Sequence, residues 1–310
     1  MGIIIDGVRP GLKIDLDLIT SDLQRRRPQK IYETARVEKD LFLITSGFKN
    51  GYATGAPLHI EIENKEYNSA NYSELKDTPR PGTADMSAYQ KYHGYNDANG
   101  AGHFSGRITA LLVIAGSIAK MMSPFDVRSR IKSVGGETDE RKFEQVFASA
   151  KEKKDSIGGV IEVTAANLIP GLGEPFFGKL TSEIASILLS VPAVKGIEFG
   201  VGFAGEKLLG SQFNDAIVDV KGMTKTNNCG GINGGISNGN DIVVNCFIKP
   251  ISSIAIPQKT INLKTRKLET ISVTGKHDTS ILSRVGVVLE AALHICLLDQ
   301  YLLYSVHGKK

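Results

Sequence analysis

Thr226-Asn227-Asn228-Cys229-Gly230-Gly231-Ile232-Asn233-Gly234-Gly235-Ile236-Ser237-Asn238-Gly239 runs on into Ile242-Val243-Val244 and reaches Lys249-Pro250. Paired glycines carry no Cβ and enter positive φ freely, so main-chain N–H groups can come close to a ligand. Asn and Ser add neutral hydrogen-bonding groups that tolerate turns. No Gly-Lys-Ser/Thr follows, which excludes a Walker loop. The strand–GxGxxG–helix spacing of a dinucleotide fold is also missing. Two readings stay open: a Gly-rich hairpin connection, or a cradle for a phosphate or a flat heteroaromatic ring.

Outward from this segment, strands are expected over 241–248, 254–256 and 270–273, followed by a helix over about 284–304. Upstream, 196–200 and 159–165 read as strands. The turn Pro170-Gly171-Leu172-Gly173-Glu174-Pro175 precedes a helix over 181–189. A charged helix facing solvent is expected over 140–154. Ser105 is placed to cap an apolar helix over 106–122. Residues 64–99 are polar and rich in Tyr, Asn, Asp and Pro, which suits a long functional connection. Strands over 41–46 and 55–63 and a helix over 15–27, stopped by Pro28, complete the set. The chain opens on Ile3-Ile4-Ile5-Asp6-Gly7, a strand already in progress, so a segment upstream is expected. Strands and helices mix without a regular βαβ rhythm, which predicts α+β rather than a doubly wound sheet.

At 310 residues the chain can bury a large core, and 41% hydrophobic with 23% charged residues is ordinary for a soluble globular protein. A net charge of +4 is too mild to argue for nucleic acid and fits an anionic small molecule. Cys229, Cys246 and Cys296 show no CxxC spacing, which predicts reduced thiols and a cytoplasmic setting. The apolar run 285–306 is interrupted by Glu290, His294 and Asp299 and reads as a buried helix, not a membrane span.

Three basic clusters could do chemistry: Arg25-Arg26-Arg27, Arg107 at a helix start, and Lys276-His277-Asp278. Arginine forks match the paired oxygens of phosphate and carboxylate, and a helix N-terminus favours an anion. The plainer reading of Arg25 to Arg27 is a solvated helix end that complements the macrodipole. His277 beside Asp278 is a candidate acid/base pair. Glu290 and His294 have a metal-compatible spacing without a third ligand, on an apolar face.

These segments together resemble the chorismate synthase family. The resemblance rests on Asp6-Gly7-Val8-Arg9-Pro10-Gly11, Arg25-Arg26-Arg27-Pro28, Asp77-Thr78-Pro79-Arg80-Pro81-Gly82-Thr83-Ala84-Asp85 and Gly102-His103-Phe104-Ser105-Gly106-Arg107. It continues through 170–175, 193–196, Asn214-Asp215, the 226–239 segment, Lys249-Pro250-Ile251-Ser252-Ser253 and Lys276-His277-Asp278. It spans nearly the whole chain except 123–154, a variable region that looks shortened.

The resemblance implies a β–α–β sandwich in a single domain, 1–310, and a homotetramer. The implied reaction is anti-1,4-elimination of phosphate from 5-enolpyruvylshikimate 3-phosphate, using reduced FMN supplied by a separate reductase. By the same resemblance, Arg26 and Arg107 would meet the substrate's anionic groups. His103, Phe104, Ser105, Pro192, Ala193, Asn228, Gly234, Lys249, Pro250, Ile251, Ser252, Ser253 and Lys276 would contact flavin. Asp278 would help to take the ring proton.

Two departures stand out. The family's opening Gly-Glu-Ser-His-Gly is not in the chain, which begins after that point. The second family histidine, in Arg-Pro-Gly-His-Ala-Asp, is here Thr83. Threonine cannot carry a proton near neutrality as imidazole does. A working enzyme with an upstream start, in which His93 or His103 substitutes, and an impaired homologue that binds flavin or an anion are both expectations open at this point.

Overall fold

Alternation and helical periodicity build two sheets with helices between them. The structure is a computed structural model and describes residues 1–28, 40–63, 77–97, 99–273 and 278–307. Strand β1 (Gly2–Ile5) is followed by helix α1 (Leu16–Arg25), which Asp15 caps by accepting a 2.9 Å bond from the Leu18 N–H. Strand β2 (Phe42–Ser46), the short hairpin β3 (Phe48–Lys49) and β4 (Tyr52–Ala53), and β5 (Leu58–Ile62) follow. β5 is the middle strand of an antiparallel sheet ordered β1-β5-β2. Its Leu58, Ile60 and Ile62 are buried while His59 and Glu61 turn outward, as period-2 patterning requires.

Within the expected connection lies a short helix, α2 (Asp85–Lys91). Helix α3 (Thr109–Met122) is apolar along most of its surface and is buried accordingly. Strand β6 (Asp126–Val134) comes next, in a stretch where no strand was expected. The helix expected over 140–154 is α4 (Phe143–Glu152), and it is not simply a solvent-facing helix: Phe143, Phe147 and Ala150 are buried. Strand β7 (Gly159–Ala166), helix α5 (Leu180–Leu189) and strand β8 (Val194–Phe199) lead to the hairpin of β9 (Ile232–Asn233) and β10 (Ile236–Ser237).

Strand β11 (Ile242–Ile248) then closes an antiparallel sheet ordered β6-β7-β11-β8. No strand forms at 254–256. Pairing resumes with β12 (Gln258–Ile261) and β13 (Leu268–Ile271).

Helix α6 (Leu282–His307) packs on α3, α5, β6 and β7, while α3 also meets α1 and β1. The layers therefore run sheet, helices, sheet, around one cluster of buried apolar side chains. By length and composition α6 could cross a membrane, but 61% of its apolar window is buried inside the protein, as in a core helix. Cys246 and Cys296 lie in the core, where burial pushes both thiols up to about 12, and Cys229 is half-buried; all three are free.

Candidate functional site

α1 ends in the arginine run, and its members go separate ways. Arg25 reaches Glu290 on α6 through two 2.7 Å bonds, and Ser129 on β6 donates to the same carboxylate from its N–H (2.9 Å) and hydroxyl (2.7 Å). Glu290 is thus taken up by an ion pair and hydrogen bonds rather than by a metal. Arg26, the C-cap of α1, turns to the start of α3. Its Nε donates to Thr109 Oγ1 (3.0 Å), and its Nη2 to the carbonyls of Gly106 (3.0 Å) and Arg107 (3.2 Å). Its Nη1 meets Asp40 Oδ2 at 3.2 Å. The solvated-helix-end reading fails for Arg26, whose side chain is only 16% exposed.

Arg107 stands on a single 3₁₀ turn (Gly106–Ile108) that Ser105 caps, its Oγ accepting from the Arg107 N–H at 3.3 Å. The Arg107 Nη1 donates to Asp40 Oδ1 at 3.1 Å. One carboxylate therefore joins two guanidinium groups from different elements. Burial lowers the Arg26 pKa, Asp40 opposes that, and the positive charge of Arg284 adds to it. Burial likewise pushes the Asp40 carboxyl up, against the pull of Arg26 and Arg27.

Arg284, in the first turn of α6, pairs with Asp278 at 2.5 Å. Next to Asp278, the Thr279 carbonyl accepts from the Ile157 N–H at 2.9 Å. Ser156 donates to the Ile251 carbonyl at 2.7 Å, which carries the 249–253 stretch to the same place. Lys249 bonds through its N–H to the Ala193 carbonyl (2.9 Å). Its Nζ donates to the Gly82 carbonyl (2.6 Å) and Ser252 Oγ (3.0 Å), and Ser252 donates in turn to Gly82 (2.7 Å). The structure thus gathers Arg26, Arg107 and Asp278 through Arg284, and joins Pro192-Ala193 and Lys249 to Ser253 with the turn that carries Thr83.

Other expected residues lie elsewhere. The Gly230 carbonyl accepts from the Val243 N–H at 3.3 Å, at the end of β11 opposite Lys249. Asn228 belongs to that far end: its N–H donates to Asp215 at 2.7 Å, as does that of Cys229 at 2.9 Å. Gly234, at the β9–β10 tip, has φ +62 and no heavy atom within 4 Å of where a Cβ would sit. Next to it, Gly235 packs so closely that a Cβ would lie 2.6 Å from the Glu174 carbonyl. His103 and Phe104 are exposed, with ring centroids 4.2 Å apart, and Tyr92 meets His103 edge-on at 5.6 Å. His93 is exposed, just past the end of α2. Lys276 and His277 lie outside the described residues.

Local reading missed Asp40, Arg284 and Thr109; Asp40 and Thr109 act through partners distant in the chain, whereas Arg284 pairs with the nearby Asp278. For Arg284 a signal existed, since a basic residue in the first turn of a helix opposes the macrodipole and asks for an explanation.

An α+β fold that gathers arginines and a paired carboxylate suits an enzyme that handles a multiply charged anion. Comparison with known proteins agrees. The family model for chorismate synthase matches residues 1–302. A chorismate synthase of Chitinophaga pinensis is 45% identical, covering 98% of this chain and 91% of its own, and one of Pyrococcus abyssi is 39% identical, covering 99% and 93%. A crystal structure of chorismate synthase superposes with a TM-score of 0.75 at 27% identity, covering 97% of this chain and 88% of that one. The chain belongs to the chorismate synthase family, phosphate-eliminating lyases of the shikimate pathway.

Proposed function

We propose that this chain converts 5-enolpyruvylshikimate 3-phosphate to chorismate by anti-1,4-elimination of phosphate and a ring hydrogen, with reduced FMN as cofactor. The observation that carries the substrate assignment is the Arg26–Asp40–Arg107 group beside the Arg284–Asp278 pair. Three guanidinium groups so close together, on Arg26, Arg107 and Arg284, suit a ligand bearing a phosphate and carboxylates.

The residues present also fit FMN. Lys249 and Ser252 offer cationic and hydroxyl donors on a half-buried segment, which the Lys249 N–H joins to Ala193. When bound, reduced FMN supplies electron density as phosphate departs and recovers it as the proton leaves. This chain's residues do the rest. Arg107 holds an anionic group of the substrate, and Arg26 braces the turn that carries it. Asp278, oriented by Arg284, accepts the departing proton. Lys249 to Ser253, Pro192-Ala193, His103, Phe104 and Ser105 hold the flavin and keep water from the reacting face.

The order sheet–helices–sheet supports a β–α–β sandwich in one domain, with 123–154 a shortened variable region. Exposed Phe176, Phe177, Phe203, Leu209 and Val220 support a homotetramer, since large apolar side chains left in water mark contact surfaces. The expected compartment is the cytoplasm, with flavin reduced by a separate protein.

The test is anaerobic turnover of 5-enolpyruvylshikimate 3-phosphate by the purified chain with chemically reduced FMN. Chorismate formation is the expected result. A folded chain that binds FMN without turnover would instead support the impaired homologue. Oxidation of NADPH by the chain and FMN alone would overturn the separate reductase.

A further inference from the structure

Asp40 is the most deeply buried carboxylate near the arginine group, with a side chain only 1% exposed. It enters β2 from a left-handed backbone conformation, φ +43, which Asp adopts more readily than most residues. Its two oxygens are divided between two cations, Oδ2 to Arg26 at 3.2 Å and Oδ1 to Arg107 at 3.1 Å. The exposure is one-sided. The arginine side chains remain 16% and 19% exposed while the carboxylate between them is closed off from solvent. Asp40 therefore joins the two guanidinium groups from a position closed to solvent.

Arg26 is already heavily engaged. Of the five N–H donors on a guanidinium, four are directed at Thr109, Asp40 and the carbonyls of Gly106 and Arg107. It acts as a brace for the turn that carries Arg107. Two guanidinium groups so placed, with the charges of Arg27 and Arg284 in range, repel one another unless a buried anion balances them.

We propose that Asp40 is a positioning residue of the anion pocket: from beneath, it holds Arg26 braced and aims Arg107 at the substrate. The inference rests on the function proposed above and deepens it. Asp40 touches neither substrate nor flavin, and its effect passes through Arg107.

Steady-state kinetics on 5-enolpyruvylshikimate 3-phosphate with saturating reduced FMN, alongside thermal melts, test this in the wild-type chain, Asp40→Asn, Asp40→Glu, Arg107→Gln and Asp40→Asn/Arg107→Gln. Asp40→Asn should raise KM about tenfold with kcat changed less than about threefold, the pattern of lost binding rather than lost chemistry. Asp40→Glu, which keeps the charge, should recover most of the KM. In the Arg107→Gln background, Asp40→Asn should add little, because the two act as one unit.

An unchanged or lower KM in Asp40→Asn overturns the proposal. So does a KM increase that repeats in full on Arg107→Gln. Should Asp40→Asn melt below the assay temperature, the double variant decides, since it removes the carboxylate together with one of its cations: a KM equal to that of Arg107→Gln supports the proposal, and a further tenfold rise overturns it. A wild-type chain without turnover defeats the function reading alone. Inorganic phosphate is then the probe, and an equal phosphate-induced rise in Tm for wild type and Asp40→Asn overturns the inference, whereas a rise confined to wild type supports it.

Discussion

Thr83 shows how one side chain can change its task. Its hydroxyl donates to the Arg80 carbonyl (2.9 Å) and accepts from the Asp85 N–H (3.2 Å), closing the turn into α2. Arg80 locks the same turn through two bonds to Asp85, at 2.8 and 3.0 Å. The position that holds an acid/base histidine in the motif the chain resembles here closes a turn. Thr83→His should therefore raise kcat by about tenfold or more, towards the roughly hundred- to ten-thousand-fold typical of a proton-transfer group. It should also cost about 1 kcal/mol through the lost turn hydrogen bonds. A folded variant with wild-type kcat would show that no proton passes at this position. Arg26 and Arg107 could be picked out from their motifs. Asp40 could not, because folding alone brings Arg107 to it.

Among the elements, the contact between α3 and α6 is a tight constraint. At Gly116 a Cβ would sit 2.3 Å from the Ala291 Cβ, so the two helices meet backbone to backbone. Gly116→Ala should destabilise the protein by about 2 kcal/mol or more, since overpacking a dense crossing forces the helices apart. Urea unfolding measures it, and an unchanged midpoint would mean that the crossing relaxes freely. Both helices were legible from their apolar runs. β6 was not, for two reasons. Its outward Arg130 and Lys132 pair with Glu162 on β7, so it reads as a charged stretch. A register shift between Ile131 and Ser133 also breaks the period-2 pattern. The 254–256 stretch failed the opposite way, with a continuous apolar run, Ile254-Ala255-Ile256, but no strand paired with it among the described residues.

On the scale of the whole molecule, the helical layer encloses a small polar cavity lined by Asp22, Ser117, Lys120, Glu290 and His294. His294 is 3% exposed, and its ring nitrogens have no hydrogen-bond partner among the described residues. Burial, with the Lys120 charge, pulls its pKa down to about 4, while Glu290, Asp22 and Asp126 oppose the shift. In the unfolded chain the imidazole titrates near its ordinary value of about 6.5. Between these values the unfolded state binds a proton that the folded state refuses, so stability is full above the upper value and falls as pH drops towards about 4. The loss reaches roughly 3 kcal/mol. Melting curves from neutral to acid pH should show a shallower decline for His294→Leu than for wild type, and parallel declines would remove His294 as the cause. Composition, apolar periodicity and an ordered series of motifs were enough to establish the α+β class, most helices and the family, because those signals are local and repeat along the chain. That Asp40 joins Arg26 to Arg107, and that Asn228 lies at the far end of β11 from Lys249, were decided by tertiary structure alone. Ion pairs and close backbone approaches join residues far apart in the chain, and no local pattern records them.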